Sequence, residues 1–172
     1  SKPNPLVARA MPKLVELSRA IGETVNLVQM SGDHIIYALR LPNQHTHFAA
    51  SIVGRRLPAI ATAAGRVMLS TWPQDEWEKA TAEWPLHAVT QKTVTDRAAI
   101  RHYIAEAAQN GFTITENQMI LNEISVAAPI RSIDGRGRAA IQISVSSHGY
   151  DFDRVLRDIL PSLQETANGV LA

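Results

Sequence analysis

The 172-residue chain contains no cysteine. That removes a disulfide framework, a thiolate nucleophile and Cys-ligated zinc, and it fits a reducing compartment. Glycine is scarce, at nine residues, and no Gly-x-Gly-x-x-Gly, Walker-type loop, Gly-x-Ser-x-Gly or His-Glu-x-x-His occurs, so a phosphate-cradling loop is not expected. No apolar run approaches the roughly 20 residues that span a bilayer. No signal-peptide pattern opens the chain either, and a cytoplasmic location is the expectation. A formal net charge of +1 gives no electrostatic footprint for nucleic acid. The pair Arg55 and Arg56 and the cluster Arg131, Arg136 and Arg138 read as solvated or interface charge. What is there suits one ordinary globular domain, 45% hydrophobic and 19% charged. The start at Ser1-Lys2-Pro3, with no initiator Met, reads as a piece of a longer protein.

Leu6, Ala10, Leu14, Leu17 and Ile21 recur at helical spacing and Gly22 stops them. From Glu23 the period changes: residues 24–30 and 34–40 read as strands of a hairpin turning at Ser31-Gly32-Asp33, and Thr46 to Ile52 reads as a weaker third strand. A helix is predicted over Ala59 to Thr71, a short one after Trp72-Pro73, and another from a Thr95-Asp96 cap to Asn110, closed by Gly111. Strands follow at Phe112 to Thr115, Ser125 to Arg131 and, after a turn at Asp134-Gly135, Arg138 to Ser146. The last stripe, Phe152 to Val170, is helical and kinked or divided near Pro161. Hairpins at both ends with helices between and after them imply an α/β chain of α+β type, a single antiparallel sheet flanked by helices.

Three places could carry chemistry. Val53 to Ser70 enters helix behind Pro58 and runs through Ala61, Thr62, Ala63, Ala64 and Gly65, small residues that allow close backbone approach. A helix start offers unpaired N–H groups to a small anion, although tight packing of two elements explains the same residues. In the last strand Gln142, Ser144 and Ser146 share one side, opposite Ala139, Ile141, Ile143 and Val145. With Thr115 and Ser125 they form a polar row that either faces water or lines a concave pocket of neutral donors. His45-x-His47 would present two imidazoles on one strand face, with Asp33, His34 or His87 as further ligands, or simply two exposed histidines beside Pro42-Asn43. No metal or cofactor is expected. Asp75, Glu76, Glu78 and Glu116 read as surface charge, since nothing brings two carboxylates onto one bond.

The ordered segments Gly22-Glu23-Thr24-Val25-Asn26-Leu27, Val53-Gly54 through Pro58 to Gly65-Arg66, Thr93-Val94-Thr95-Asp96, Gly111-Phe112 and Ala127-Ala128-Pro129-Ile130, then the hairpin from Asp134-Gly135 to Ser144, resemble the C-terminal effector-binding domain of the IclR family of bacterial transcriptional regulators. The resemblance implies a GAF-like fold with residues 1–22 as a linker helix and 23–172 as the ligand-binding domain. It implies that the family's winged helix-turn-helix DNA-binding domain is absent from this chain. It further implies a sensor of a small organic, aromatic or dicarboxylic acid, not an enzyme, acting as a homodimer or homotetramer. The family's pocket falls on Ala63, Ala64 and Gly65, on Thr115, Ser125, Gln142 and Ser144, and on Leu57 and Met68 as apolar wall. Gln118, Asn122 and Ser125 stand where the family commonly has Glu, Gly and Cys, and Thr115 where it often has an acid, so a neutral, donor-rich pocket is expected. An enzyme or a ligand-free assembly module on the same scaffold is the alternative.

Overall fold

Asn4 caps the first helix, α1 (Pro5–Ile21), by accepting from the Leu6 and Val7 N–H groups at 3.1 and 3.3 Å, and Gly22 ends it at φ +70°. The computed structural model describes residues 4–43 and 53–171. The hairpin of β1 (Thr24–Ser31) and β2 (His34–Leu41) follows, turning through Gly32 at φ +62°. Then come β3 (Arg56–Pro58), α2 (Ala63–Leu69), α3 (Gln74–Glu83), α4 (Arg97–Asn110), β4 (Thr113–Glu116), β5 (Glu123–Arg131), β6 (Gly137–Ser146), α5 (Phe152–Asp158) and α6 (Leu160–Asn168). The strands form one sheet in the order β3-β2-β1-β6-β5-β4, and every adjacent pair is antiparallel. The α+β reading therefore holds, and the divided last helix is found with Pro161 in the first turn of α6.

The sheet is covered on both sides because alternate residues on its central strands are apolar toward each. Val25 and Leu27 of β1, Ile124 and Val126 of β5, and Ile141, Ile143 and Val145 of β6 pack under Leu14 of α1, Val155 of α5, Leu163 of α6 and Ile159 between those two helices. On the opposite side Val28, Tyr37, Leu57, Ala127 and Ala140 meet Ala63, Ala64, Val67 and Met68 of α2. Ile60 and Leu69 join Trp77 of α3 and Ile100 and Ile104 of α4 in a further cluster. All seven residues of α2 are buried, which accounts for its run of small side chains.

The helix expected from Ala59 begins four residues later. Pro58 holds φ −56° and ψ 126°, which is extended, and pairs with His34 across β2, while the Ala59 N–H donates to the Asp33 carbonyl at 3.1 Å. Ala59–Ala61 form one 3-10 turn and Thr62 is the true cap. Its hydroxyl accepts from the Gly65 N–H and donates to the Ala59 carbonyl, both at 3.0 Å. The expected strand Thr46 to Ile52 lies outside the described residues, as do His45 and His47.

Candidate ligand-binding site

Strand alternation in β6 sends Ile141, Ile143 and Val145 to the core beneath α1, α5 and α6, and so turns Gln142 and Ser144 toward the α2 side. Register extends the pattern across the sheet. Asn26, Gln142 and Ala127 lie abreast on β1, β6 and β5, and next to them Thr24, Ser144, Ser125 and Thr115 lie abreast on β1, β6, β5 and β4. This row does not face water: Gln142 is 1% exposed, Asn26 1% and Ser125 7%.

The polar groups are joined. Asn26 Nδ2 donates to Gln142 Oε1 at 2.6 Å, and Gln142 Nε2 donates to the hydroxyls of Ser125 at 2.6 Å and Ser144 at 2.8 Å. Buried Tyr37 donates its hydroxyl to the Met119 sulfur at 3.0 Å, and burial pushes its pKa far up, with the nearby Glu123 adding to the rise. Burial also raises the Glu123 carboxyl to about 7, against the opposing pull of Arg40 and a hydrogen bond with Ser144. Two buried side-chain atoms have no hydrogen-bond partner among the described residues: the acceptor Asn26 Oδ1 and the donor Arg40 Nε. Asn26 and Arg40 are register partners on β1 and β2. Buried polar atoms are nearly always paired, so an open donor and an open acceptor on adjacent residues call for a further polar partner, whether water or a ligand.

Of the residues singled out in the sequence, Ser125, Gln142 and Ser144 form one hydrogen-bonded group. Leu57, Ala63, Ala64 and Met68 form the apolar cluster on the same side of the sheet. Gly65 is placed differently: its missing side chain leaves room for the Ala59 backbone, where a Cβ would come within 2.0 Å of the carbonyl oxygen. Thr115 lines a separate cavity between α4 and β4. The start of α2 is partly spoken for, because Thr62 takes the Gly65 N–H and the Thr113 hydroxyl donates to the Ala63 carbonyl at 2.7 Å. Glu123 and Arg40 bring ionisable groups beside the polar row, in which the sequence had offered neutral donors. Asn26 could have been found by period two from Thr24 and Val28. Arg40 and Glu123 sit near strand ends, where a charged residue reads as solvated, and only register and bulge geometry carry them to the buried side.

Four of the other chemistry-bearing groups, Asp33, His34, Glu76 and Glu78, are tied up elsewhere. Asp33 and His34 bond each other at 2.6 Å, and among the described residues no group of three His, Cys, Asp or Glu could hold a metal ion. Glu76 receives both Nη atoms of Arg136 at 3.0 and 2.5 Å, and Glu78 receives Arg101 at 2.7 Å, so these acids are surface ion pairs.

The model of the bacterial transcriptional regulator IclR C-terminal family matches residues 2–171. The chain is 30% identical over 156 residues to the HTH-type transcriptional regulator KipR of Bacillus subtilis, covering 91% of this chain and 60% of KipR. It thus spans less than two thirds of that relative. Among solved structures, that of RHA06195, a transcriptional regulator from Rhodococcus sp. RHA1, superposes with a TM-score of 0.85 at 31% identity, covering 94% of this chain and 65% of that one. An IclR homolog from Microbacterium hydrocarbonoxydans, solved as a complex with 4-hydroxybenzoate, superposes with a TM-score of 0.79 at 24% identity, covering 95% of this chain and 65% of that one. The relatives are named as transcriptional regulators, not enzymes.

Proposed function

Because the chain belongs to the IclR family of bacterial transcriptional regulators, as its C-terminal domain, we propose that it senses a small hydroxylated organic acid at the polar row beneath α2. The observation that carries this reading is the open donor of Arg40 beside the open acceptor of Asn26. A carboxylate satisfies the first and a hydroxyl on the same molecule satisfies the second. Ser125, Gln142 and Ser144 orient the polar atoms, while Ala63, Ala64, Leu57 and Met68 provide apolar wall. The 4-hydroxybenzoate of the Microbacterium homolog, an aromatic hydroxy acid, supports the ligand class.

Binding acts on DNA only if the acid favours one arrangement of a homodimer or homotetramer over another. In that scheme residues 1–22 lead to a DNA-binding domain, 23–172 hold the effector, and the cytoplasm is the site of action. No described helix is long and apolar enough to cross a membrane.

Thermal denaturation against 4-hydroxybenzoate, benzoate and succinate tests the site. The melting temperature should rise with the logarithm of 4-hydroxybenzoate concentration above its dissociation constant. Ser125→Trp and Ser144→Trp should each keep the circular dichroism of the parent and abolish most of that rise. Undiminished stabilisation of both variants would place the acid elsewhere.

A further inference from the structure

The polar row ends on an ionisable group. Alternation along β5 puts Glu123 on the same side as Ser125, and Glu123 is only partly buried, within reach of solvent protons. At the other end of the row the Leu27–Leu39 and Val28–Tyr37 pairs skip Ala38. That bulge places Tyr37 and Arg40, three residues apart, on one side of β2, the side of Asn26 and the row. Arg40 is likewise only partly buried.

The hydrogen bonds between these two ends all run in one sense. Asn26 Nδ2 donates to Gln142 Oε1, Gln142 Nε2 donates to the Ser144 hydroxyl, and Ser144 donates to the Glu123 carboxylate. The series begins at Asn26, whose Oδ1 is open beside the open Arg40 Nε, and finishes at Glu123. Arg40 also favours the ionised form of Glu123 through its charge. Tyr37 is the other ionisable group on this side of β2, and Arg55 acts on it. The residues of α2 that face the sheet, Ala63, Ala64, Val67 and Met68, carry no charge. Glu116 falls on the other side of β4 with Ile114, and His148, in the turn after β6, is exposed.

On the basis of the effector site proposed above, we infer that Glu123 couples that site to a proton: an acid whose carboxylate takes Arg40 binds together with one proton from solvent, which Glu123 accepts. The arriving carboxylate neutralises the cation that favours ionised Glu123 and brings a second negative charge beside it. Both changes favour the protonated carboxyl. A hydroxyl donated to Asn26 Oδ1 pulls the other way by polarising the series, but a polarised hydrogen bond acts more weakly than a full charge. The complex therefore holds more protons than the free chain, whose Glu123 carboxyl stands at about 7. Affinity for the acid falls as pH rises past that value, and a neutral analogue escapes the dependence.

Isothermal titration calorimetry at pH 8 in HEPES and in Tris, whose ionisation heats differ, counts the protons taken up per ligand bound. With 4-hydroxybenzoate the count should approach one, and with 4-hydroxybenzamide it should be near zero. The dissociation constant of the acid should rise about tenfold from pH 6 to pH 8. Glu123→Gln keeps a neutral partner for Ser144 and should bind the acid without uptake, its dissociation constant changing by less than about twofold over that range. Acid binding without proton uptake in the parent chain would overturn the coupling and leave the site standing. Uptake that persists in Glu123→Gln would overturn it too, by placing the proton elsewhere. No binding of the acid even at pH 6 would remove the site and the coupling together. If Glu123→Gln fails to fold, equal uptake with the acid and the amide still overturns the coupling.

Discussion

Glu123 and Arg66 respond to one physical cause in opposite directions. Burial disfavours charge, so it lifts the Glu123 carboxyl to about 7 and lowers the Arg66 guanidinium to about 10. At neutral pH Arg66 is still a cation, while Glu123 stands near half-protonation. Between its ordinary value of 4.5 and about 7, the folded chain holds a proton on Glu123 that the unfolded chain has released. Stability therefore falls as pH rises through that window and levels off above it, by up to about 3 kcal/mol. Urea denaturation at pH 5 and pH 8 should show this decline in the parent chain and a flatter profile in Glu123→Gln, which keeps a hydrogen-bonding partner for Ser144. An equal decline in both would mean that other groups carry it. At this scale the polar row was half legible. Gln142, Ser144 and Ser125 follow from alternation within strands, but the charges that join them do not, because a Glu at the start of a strand and an Arg near the end of another are ordinarily solvated.

At the scale of elements, α2 depends on contact with the 3-10 turn before it. A Cβ on Gly65 would lie 2.0 Å from the Ala59 carbonyl oxygen, 2.5 Å from its carbon and 2.8 Å from its Cα. These are backbone atoms fixed by the pairing of Pro58 with His34 and by the Asp33 carbonyl, and they cannot yield as a flexible side chain would. Gly65→Ala should therefore cost about 2 kcal/mol or more in urea denaturation, although alanine is the better helix former in isolation. A neutral or stabilising result would show that the turn can move. The small-residue run had two readings in the sequence, close packing and a ligand-facing backbone. Gly65 belongs to the first, and Ala63 and Ala64 face the sheet where the second is proposed. The late start of α2 was hidden because Pro58 suits both an edge strand and a first helical turn, and the pairing with β2 decides between them.

For the molecule as a whole, α1 is part of the cover of the sheet. Leu6, Ala10, Leu14 and Leu17 join β1, β5, β6 and α6 in one cluster, with Leu14 fully buried. Leu14→Ala should cost about 2–5 kcal/mol in denaturant unfolding. A helix that only linked domains would lose far less, so a loss under about 1 kcal/mol would show that α1 is detachable. The other face of α1 is exposed.

The sequence by itself determined the antiparallel α+β architecture, the apolar face of each helix and the division of β6 into a core side and a polar side. Those properties repeat at periods of 3.6 and 2 along the chain, and each can be read within a few neighbours. Only the tertiary structure decided that the polar row is buried, that Asn26 and Arg40 leave a donor and an acceptor open beside it, and that Arg66 lies buried without a counter-charge. Those depend on register between strands far apart in sequence and on α2 being enclosed by the sheet on one side and α3 and α4 on the other. Burial and pairing are relations between segments, and no single segment carries them.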